Sequence, residues 1–230
     1  MLRLTVFLLM SLIANEASSP VRVLVVTGGH DYPTSFYTLF EQDGIAWDHA
    51  VSNEDAFRKD LRGRYDALVL YDASTTLSPE GLAHFHEFVE SGGGLLVLHH
   101  GILSYQNSDW FRDLVGGRYL LDTIDGKPPS TYLHDQELNL QLATPHPITR
   151  GLSFRHIHDE TYKGMWISPT NTVLLTTDNP TSDTSVAWVS AYKPARVVYI
   201  QIGHGPESHR DPGYRALVRN SVLWAARRLE

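Results

Sequence analysis

Apolar residues in this chain fall into short, nearly unbroken runs separated by stretches with helical spacing. Val21 to Thr27 (VRVLVVT) is β-branched and stops at Gly28-Gly29, the pattern of a strand buried on both faces. Tyr65 to Tyr71 (YDALVLY) and Leu95 to Leu98 repeat it, and Ala46 to Val51 reads as a shorter strand. Between these runs the spacing predicts helices over Ser35 to Gln42, over Glu54 to Leu61, and from Ser78-Pro79-Glu80 to Glu90. The last of these opens with a serine cap and a proline in its first turn, and Ser91 with Gly92-Gly93-Gly94 closes it. Strand and helix alternate four times in the first half, which predicts a doubly wound, mostly parallel sheet with helices on both faces.

The second half is less regular. Tyr132 to Leu142 alternates apolar and polar residues like a half-exposed strand. Thr172 to Thr177, Ser185 to Val189 and Arg196 to Ile202 read as further strands, some of them pairing antiparallel. Tyr214 to Arg228 ends the chain with a helical apolar face that includes Leu217, Val218, Val222 and Ala225. Arg155 to Tyr162 reads as irregular and Asp122 to Ser130 as a loop.

The first 19 residues stand apart: Met1-Leu2-Arg3 is short and positive, and Leu4 to Ala14 is mostly apolar. This is the pattern of a signal peptide, and an apolar run of about 11 residues falls short of the roughly 20 that span a bilayer as a helix. The expectation is a secreted or periplasmic protein whose residues 20–230 form one α/β domain.

Composition narrows the partners. The chain has 230 residues, 42% of them hydrophobic and 20% charged, enough for a sizeable single core. A formal net charge of −7 argues against nucleic acid or an anionic membrane as partner and favours a neutral or small polar ligand. Cysteine is absent, which removes thiolate nucleophiles and sulfur-ligated metals, so any metal must be held by His, Asp or Glu.

Ligands of open parallel sheets bind beyond the carboxyl ends of the strands. Those positions here carry His30 and Asp31 after the first strand, Asp72 after the third, His99 and His100 after the glycine-led strand, and His204 with Glu207 after the last. An imidazole is available near neutrality as general base or metal ligand. Leu98-His99-His100-Gly101 falls where a strand turns sharply into the next segment, the place where hydrolases and amidotransferases of related layout hold a nucleophile, but no G-x-S-x-G sequence exists. A second cluster, His156-Ile157-His158-Asp159-Glu160-Thr161-Tyr162, joins histidines to paired carboxylates suited to acid/base work or to a cation. Tyr32, Phe36, Tyr105, Trp110, Tyr162 and Trp166 lie near this rim in sequence and offer flat faces for sugar rings, though core packing is the better account of most of them. Neither G-x-G-x-x-G nor a P-loop is present.

The segments VLVVTGGHDY, GGGLLVLHHG, LVGGRY, HPITRGL, HDETY and GHGPESHRDPGYRALVRNSVLWAA occur in this order along nearly the whole chain. In them the chain resembles the trehalose-utilisation, or ThuA-like, family. The resemblance implies a flavodoxin-like sheet related to class I glutamine amidotransferases, without their cysteine-centred triad. It implies catabolism of trehalose and related disaccharides, beside an oxidoreductase acting on sugars. The matched positions are His30, His99, His100, His146, Asp159, Glu160, Tyr162 and His204. His146 stands between Pro145 and Pro147, so a purely conformational role is an alternative for it.

The expectation is therefore an exported protein that processes a disaccharide, glucoside or keto-sugar derivative as hydrolase, lyase or isomerase. His99, His100, Asp159 and Glu160 are its candidate catalytic groups. His30, Asp31, Tyr32, Tyr162, His146 and Glu207 are candidate substrate contacts, and His30, His99, His100 and His204 are candidate ligands of a divalent metal ion. The rival readings are a non-catalytic sugar-binding module and a hydrolase that has lost its cysteine nucleophile.

Overall fold

A computed structural model describes residues 19–74, 76–154 and 156–230. The export signal read at the amino terminus lies, apart from Ser19, outside the described residues. Among them, no helix is long and apolar enough to cross a membrane.

Strand β1 (Val21–Gly28) is buried on both faces, and its side chains alternate between two apolar layers. Val21, Val23 and Val25 pack with Leu217, Val218 and Val222 of the last helix, α5 (Pro212–Ala225). Leu24 and Val26 pack on the other side with Phe85, Phe88 and Val89 of α2 (Pro79–Glu90). The Ser78 hydroxyl accepts a hydrogen bond from the Gly81 amide and Pro79 opens α2, a cap that contributes about 1 kcal/mol.

Strands β2 (Ile45–Ala50), β3 (Ala67–Asp72) and β4 (Gly94–Leu98) join β1 in parallel pairs, and β11 (Val197–Ile200) adds to β4 in the same sense. Beyond it lie β10 (Ser185–Val189), β9 (Thr172–Thr177), β6 (Thr131–Leu142) and β7 (His156–Lys163), each pairing antiparallel. The nine strands run β2-β1-β3-β4-β11-β10-β9-β6-β7, and β5 (Gly117–Arg118) pairs antiparallel with β8 (Trp166–Ile167) in a separate two-stranded sheet. The result is a mixed sheet, parallel in its amino-terminal part and antiparallel in its carboxyl-terminal part.

Several expectations are corrected. The segment read as irregular around His158 is strand β7; its pattern was masked because Asp159, Glu160 and Thr161 are buried polar residues rather than an apolar stripe. The helix expected over Ser35 to Gln42 is a 3-10 turn at Thr34–Leu39. Its buried residues, Phe36 and Leu39, are three apart and so share a face of that tighter helix. The helix expected over Glu54 to Leu61 shortens to α1 (Asn53–Phe57), capped by Ser52. Helix α3 (Asp109–Val115) was not anticipated, since seven residues are too few to display apolar periodicity.

Strand β6 does two jobs. Leu140 to Leu142 extend the main sheet against β9, whereas Thr131 to Asn139 pair with β7 around a bulge at His134 and Asp135, where Asp135 takes φ +56°. The bulge lets the β6–β7 ribbon bring Asp159 and Glu160 to the carboxyl ends of β4 and β11.

Candidate functional site

The site grows from the end of β4. Leu98 is still extended at φ −109°, ψ 133°, but His99 turns into the left-handed region at φ +49°. For a non-glycine residue this costs on the order of 1 to 3 kcal/mol and persists only where surrounding contacts impose it. Three contacts do so. The His99 Nδ1–H donates to the Gln201 carbonyl at 2.6 Å, the His99 carbonyl accepts from the Tyr199 hydroxyl at 3.3 Å, and the imidazole stacks on Tyr162 with ring centres 5.0 Å apart. Gly101 completes the turn, because a Cβ there would sit 2.8 Å from the Leu70 carbonyl oxygen.

Opposite His99 stands Glu160. Its Oε2 lies 2.9 Å from His99 Nε2 and 3.4 Å from His204 Nδ1, and its Oε1 lies 3.4 Å from His134 Nδ1. Burial opposes ionisation of Glu160, but hydrogen bonds from His204 and His99 outweigh it and hold the carboxyl well below the usual carboxylate range. The same hydrogen bond raises the pKa of His204 against the opposing effect of its own burial. Such a carboxylate is a weak base and a good partner for positive charge. The Tyr162 hydroxyl is 3.1 Å from His99 Nε2, and burial, then the Glu160 charge, pushes that phenol well above its ordinary pKa.

Asp159 faces the other way. It accepts hydrogen bonds from the amides of Gly203 at 2.8 Å, His204 at 3.1 Å and Glu160 at 2.7 Å, and from the Ser208 hydroxyl. The pair read as two acid/base groups is thus divided: Glu160 meets the imidazoles, and Asp159 positions the backbone that carries His204. Gly203 has its own requirement, since it takes φ +127° and an added Cβ would stand 2.2 Å from the Tyr214 hydroxyl.

His30 and His100 form a separate stacked pair with ring centres 4.5 Å apart. His100 donates from Nε2 to the Tyr71 carbonyl at 3.1 Å, which leaves Nδ1 as an acceptor. Burial, reinforced by neighbouring His99 and His30, pushes its pKa down to about 2, so the ring stays neutral. A cavity of ≈ 290 Å³ lies beside these groups, with Glu160, Tyr162, His134, His30 and His100 as its polar wall and Leu103, Tyr119, Leu121 and Tyr132 as its apolar one.

Of the four imidazoles read as metal ligands, His99 and His204 converge, and Glu160 takes the third place; donor atoms of these three lie within 4.8 Å of one another. His30 and His100 are not in that group. Asp31 and Tyr32 line a neighbouring, more open concavity that shares His30, and the Tyr32 hydroxyl is engaged with Thr27 and Tyr37. Glu207 is exposed on α4 (Pro206–Arg210). His146 is not in the lining of the cavity beside Glu160: its Nδ1 accepts from the Ile148 amide, its ring packs on Trp224, and it lines a separate concavity with Pro145, Pro147 and Arg150. His134 and Tyr119 were not among the candidate site residues, His134 being only a less secure position of the family resemblance. His134 sits at an alternation break within β6 that a bulge explains, whereas no local signal distinguishes Tyr119 from a core aromatic residue.

Fold and site together define an α/β protein with a histidine–carboxylate centre at the strand ends of a mixed sheet. The chain belongs to the trehalose-utilisation (ThuA) family, whose model matches residues 22–225. It is similar in structure to a ThuA-like protein from Parabacteroides merdae (TM-score 0.75, 21% identity, 90% of each chain covered). A ThuA-like protein from Bacteroides uniformis gives a TM-score of 0.69 at 20% identity, covering 93% of this chain and 94% of that one. A cytoplasmic protein from Salmonella typhimurium gives 0.66 at 14% identity, covering 88% and 99%. No curated protein matches the sequence.

Proposed function

We propose that this chain processes a small carbohydrate, a disaccharide, glucoside or keto-sugar derivative, in the cavity walled by Glu160, Tyr162 and His134. The observation that carries the reading is the asymmetry of that cavity. One wall presents Tyr119, Tyr132, Leu103 and Leu121, and the other an ionised carboxylate between imidazoles. Apolar faces suit the C–H face of a sugar ring, and convergent polar groups suit its hydroxyls or a carbonyl. His204, half-exposed beside Glu160, adds a second imidazole next to that polar wall. His100, neutral and acceptor-only on Nδ1, suits a hydroxyl donor. Glycoside hydrolysis by paired carboxylates is disfavoured, because that chemistry needs two in the cleft. Glu160 is the one carboxylate in the described wall of this cavity.

The finer fold assignment belongs to the same reading. The order β2-β1-β3-β4-β11, with α2 and α5 on opposite faces, supports a flavodoxin-like, doubly wound core. Export through the amino-terminal segment and supply of the substrate by a sugar oxidoreductase complete the proposal. Amino-terminal sequencing of the protein from its native host tests the first, with an intact Met1 counting against it.

The function is tested by incubating the protein with disaccharides, glucosides and their keto derivatives, following products by NMR and affinity by calorimetry. Turnover that Glu160→Gln abolishes while sugar affinity holds within about tenfold (about 1.4 kcal/mol) supports the reading. Affinity without turnover for any of these sugars makes the chain a binding module instead. Absence of both affinity and turnover refutes the carbohydrate assignment.

A further inference from the structure

The unusual contact at the heart of the site is the 2.9 Å approach of His99 Nε2 to Glu160 Oε2. His99 spends its Nδ1–H on the Gln201 carbonyl at 2.6 Å, so in the neutral ring Nε2 carries a lone pair. A lone pair and a carboxylate oxygen at this distance require a positive centre between them, a proton or a metal ion. His204 Nδ1 completes a triangle, 3.2 Å from His99 Nε2 and 3.4 Å from the same Glu160 Oε2. A triangle with these sides has a circumradius of about 1.8 Å, so a point about 2.1 Å from all three donors lies about 1 Å off its plane. Bonds of about 2.0–2.1 Å are those that zinc makes to imidazole and carboxylate.

We propose that His99 Nε2, Glu160 Oε2 and His204 Nδ1 bind one divalent first-row transition-metal ion, with a further coordination position available to substrate or water.

The surroundings fit this better than a proton shared by the three groups. An imidazole whose second nitrogen donates to a backbone carbonyl is the arrangement that orients histidine ligands of metals, and Gln201 supplies that carbonyl. Asp159, through the His204 amide, fixes the backbone of the second ligand. The Glu160 side chain is buried, and its Oε2 faces both imidazoles at once. Two imidazoles and one carboxylate, with no sulfur, select zinc or a neighbouring divalent ion over copper(I). Tyr162 and His134 border the donors and also line the cavity, so a sugar oxygen bound there can reach the ion. His146, whose ring rests on Trp224, is remote from all of this and serves as a control.

The proposal deepens the carbohydrate-processing function but can fail separately from it. Untagged full chain, stripped with chelator, is titrated with zinc by calorimetry and with cobalt by visible absorption. One equivalent per chain, with the absorption of low-coordinate cobalt, is expected. Glu160→Gln and His204→Gln should each weaken binding beyond the roughly 100-fold ceiling typical of outer-shell changes, while His146→Gln leaves it unchanged. Thermal unfolding in chelator shows whether each variant folds. If a variant does not fold, His99→Gln and cobalt absorption of the wild type take its place. Absence of stoichiometric binding, or binding indifferent to Glu160→Gln and His204→Gln, overturns the metal site. Sugar affinity or turnover without stoichiometric metal binding refutes only the metal, and tight metal binding without sugar affinity refutes only the carbohydrate reading.

Discussion

Asp72, at the end of β3, is fully buried, and its ionisation should make stability depend on pH in an unusual direction. Its Oδ2 accepts from the Tyr105 hydroxyl at 3.3 Å, and the Ser104 hydroxyl donates to its backbone carbonyl at 2.9 Å. Burial dominates and pushes the carboxyl up to about 7, although hydrogen bonds from Ser74, Ser104 and Tyr105 favour the charged form. In the unfolded chain the group titrates near 3.9. Between these values the folded protein holds a proton that the unfolded chain has lost, so stability falls as pH rises. The contribution is fully present below about pH 4 and gone above about pH 7. At about 1.36 kcal/mol per pH unit, this amounts to a loss on the order of 4 kcal/mol.

Asp72→Asn keeps the shape and removes the titration. Urea unfolding of both proteins between pH 4 and 8, compared as a difference, isolates this residue from the other titrating groups. The variant should gain on the wild type by about 3 to 4 kcal/mol from pH 4 to pH 8, most of it before pH 7. A difference that stays flat within about 1 kcal/mol would show that Asp72 is already ionised and stabilised in the native protein, and the reasoning from burial would fail.

The site itself yields three further expected outcomes. Asp159→Ala leaves the Gly203, His204 and Glu160 amides and the Ser208 hydroxyl without their acceptor. It should cost about 3 kcal/mol or more in urea unfolding, and a loss below about 1 kcal/mol would argue against Asp159 as the anchor of that loop. Gly203→Ala must carry a side chain at φ +127° and displace the Tyr214 hydroxyl, so Tm should drop by several degrees. Tyr214→Phe in that background should recover part of the drop; no recovery would place the whole cost in the backbone. In chelator, NMR titration should find His204 protonating above the ordinary histidine pKa and returning towards it in Glu160→Gln, with more of the ring charged at pH 7 in the wild type. Equal titration curves would show that Glu160 and His204 do not form an ion pair.

Much of the strand framework is legible because its cause is local. Val21 to Val26, Leu68 to Leu70 and Leu95 to Leu98 are strand segments with few polar positions, as strands covered on both faces must be, and Ser78 with Pro79 announces α2 by its capping chemistry. Thr172–Thr177 and Ser185–Val189 also coincide with their predicted bounds. The rim could be placed as well, since the residues just after a parallel strand emerge at its carboxyl end. His99 comes directly after β4, and His204 comes shortly after β11.

Which histidines act together is a different matter. His30, His99, His100 and His204 are equivalent as strand-end residues, yet the fold stacks His30 on His100 and turns His99 towards Glu160. That turn depends on the positive φ of His99 and on the Gln201 carbonyl, neither of which leaves a local mark. Glu160 and Asp159, adjacent in β7, receive opposite tasks because successive side chains of a strand point to opposite faces. The bulge at Asp135 brings one to the imidazoles and the other to the loop after β11. The amino-acid sequence determined the central strands, their burial and the edge where the histidines collect, since these arise from residue-by-residue hydrophobicity and connection rules. The tertiary structure alone decided the His99–Glu160–His204 centre, because its members meet only when the β6–β7 ribbon folds over strands distant from it in the chain.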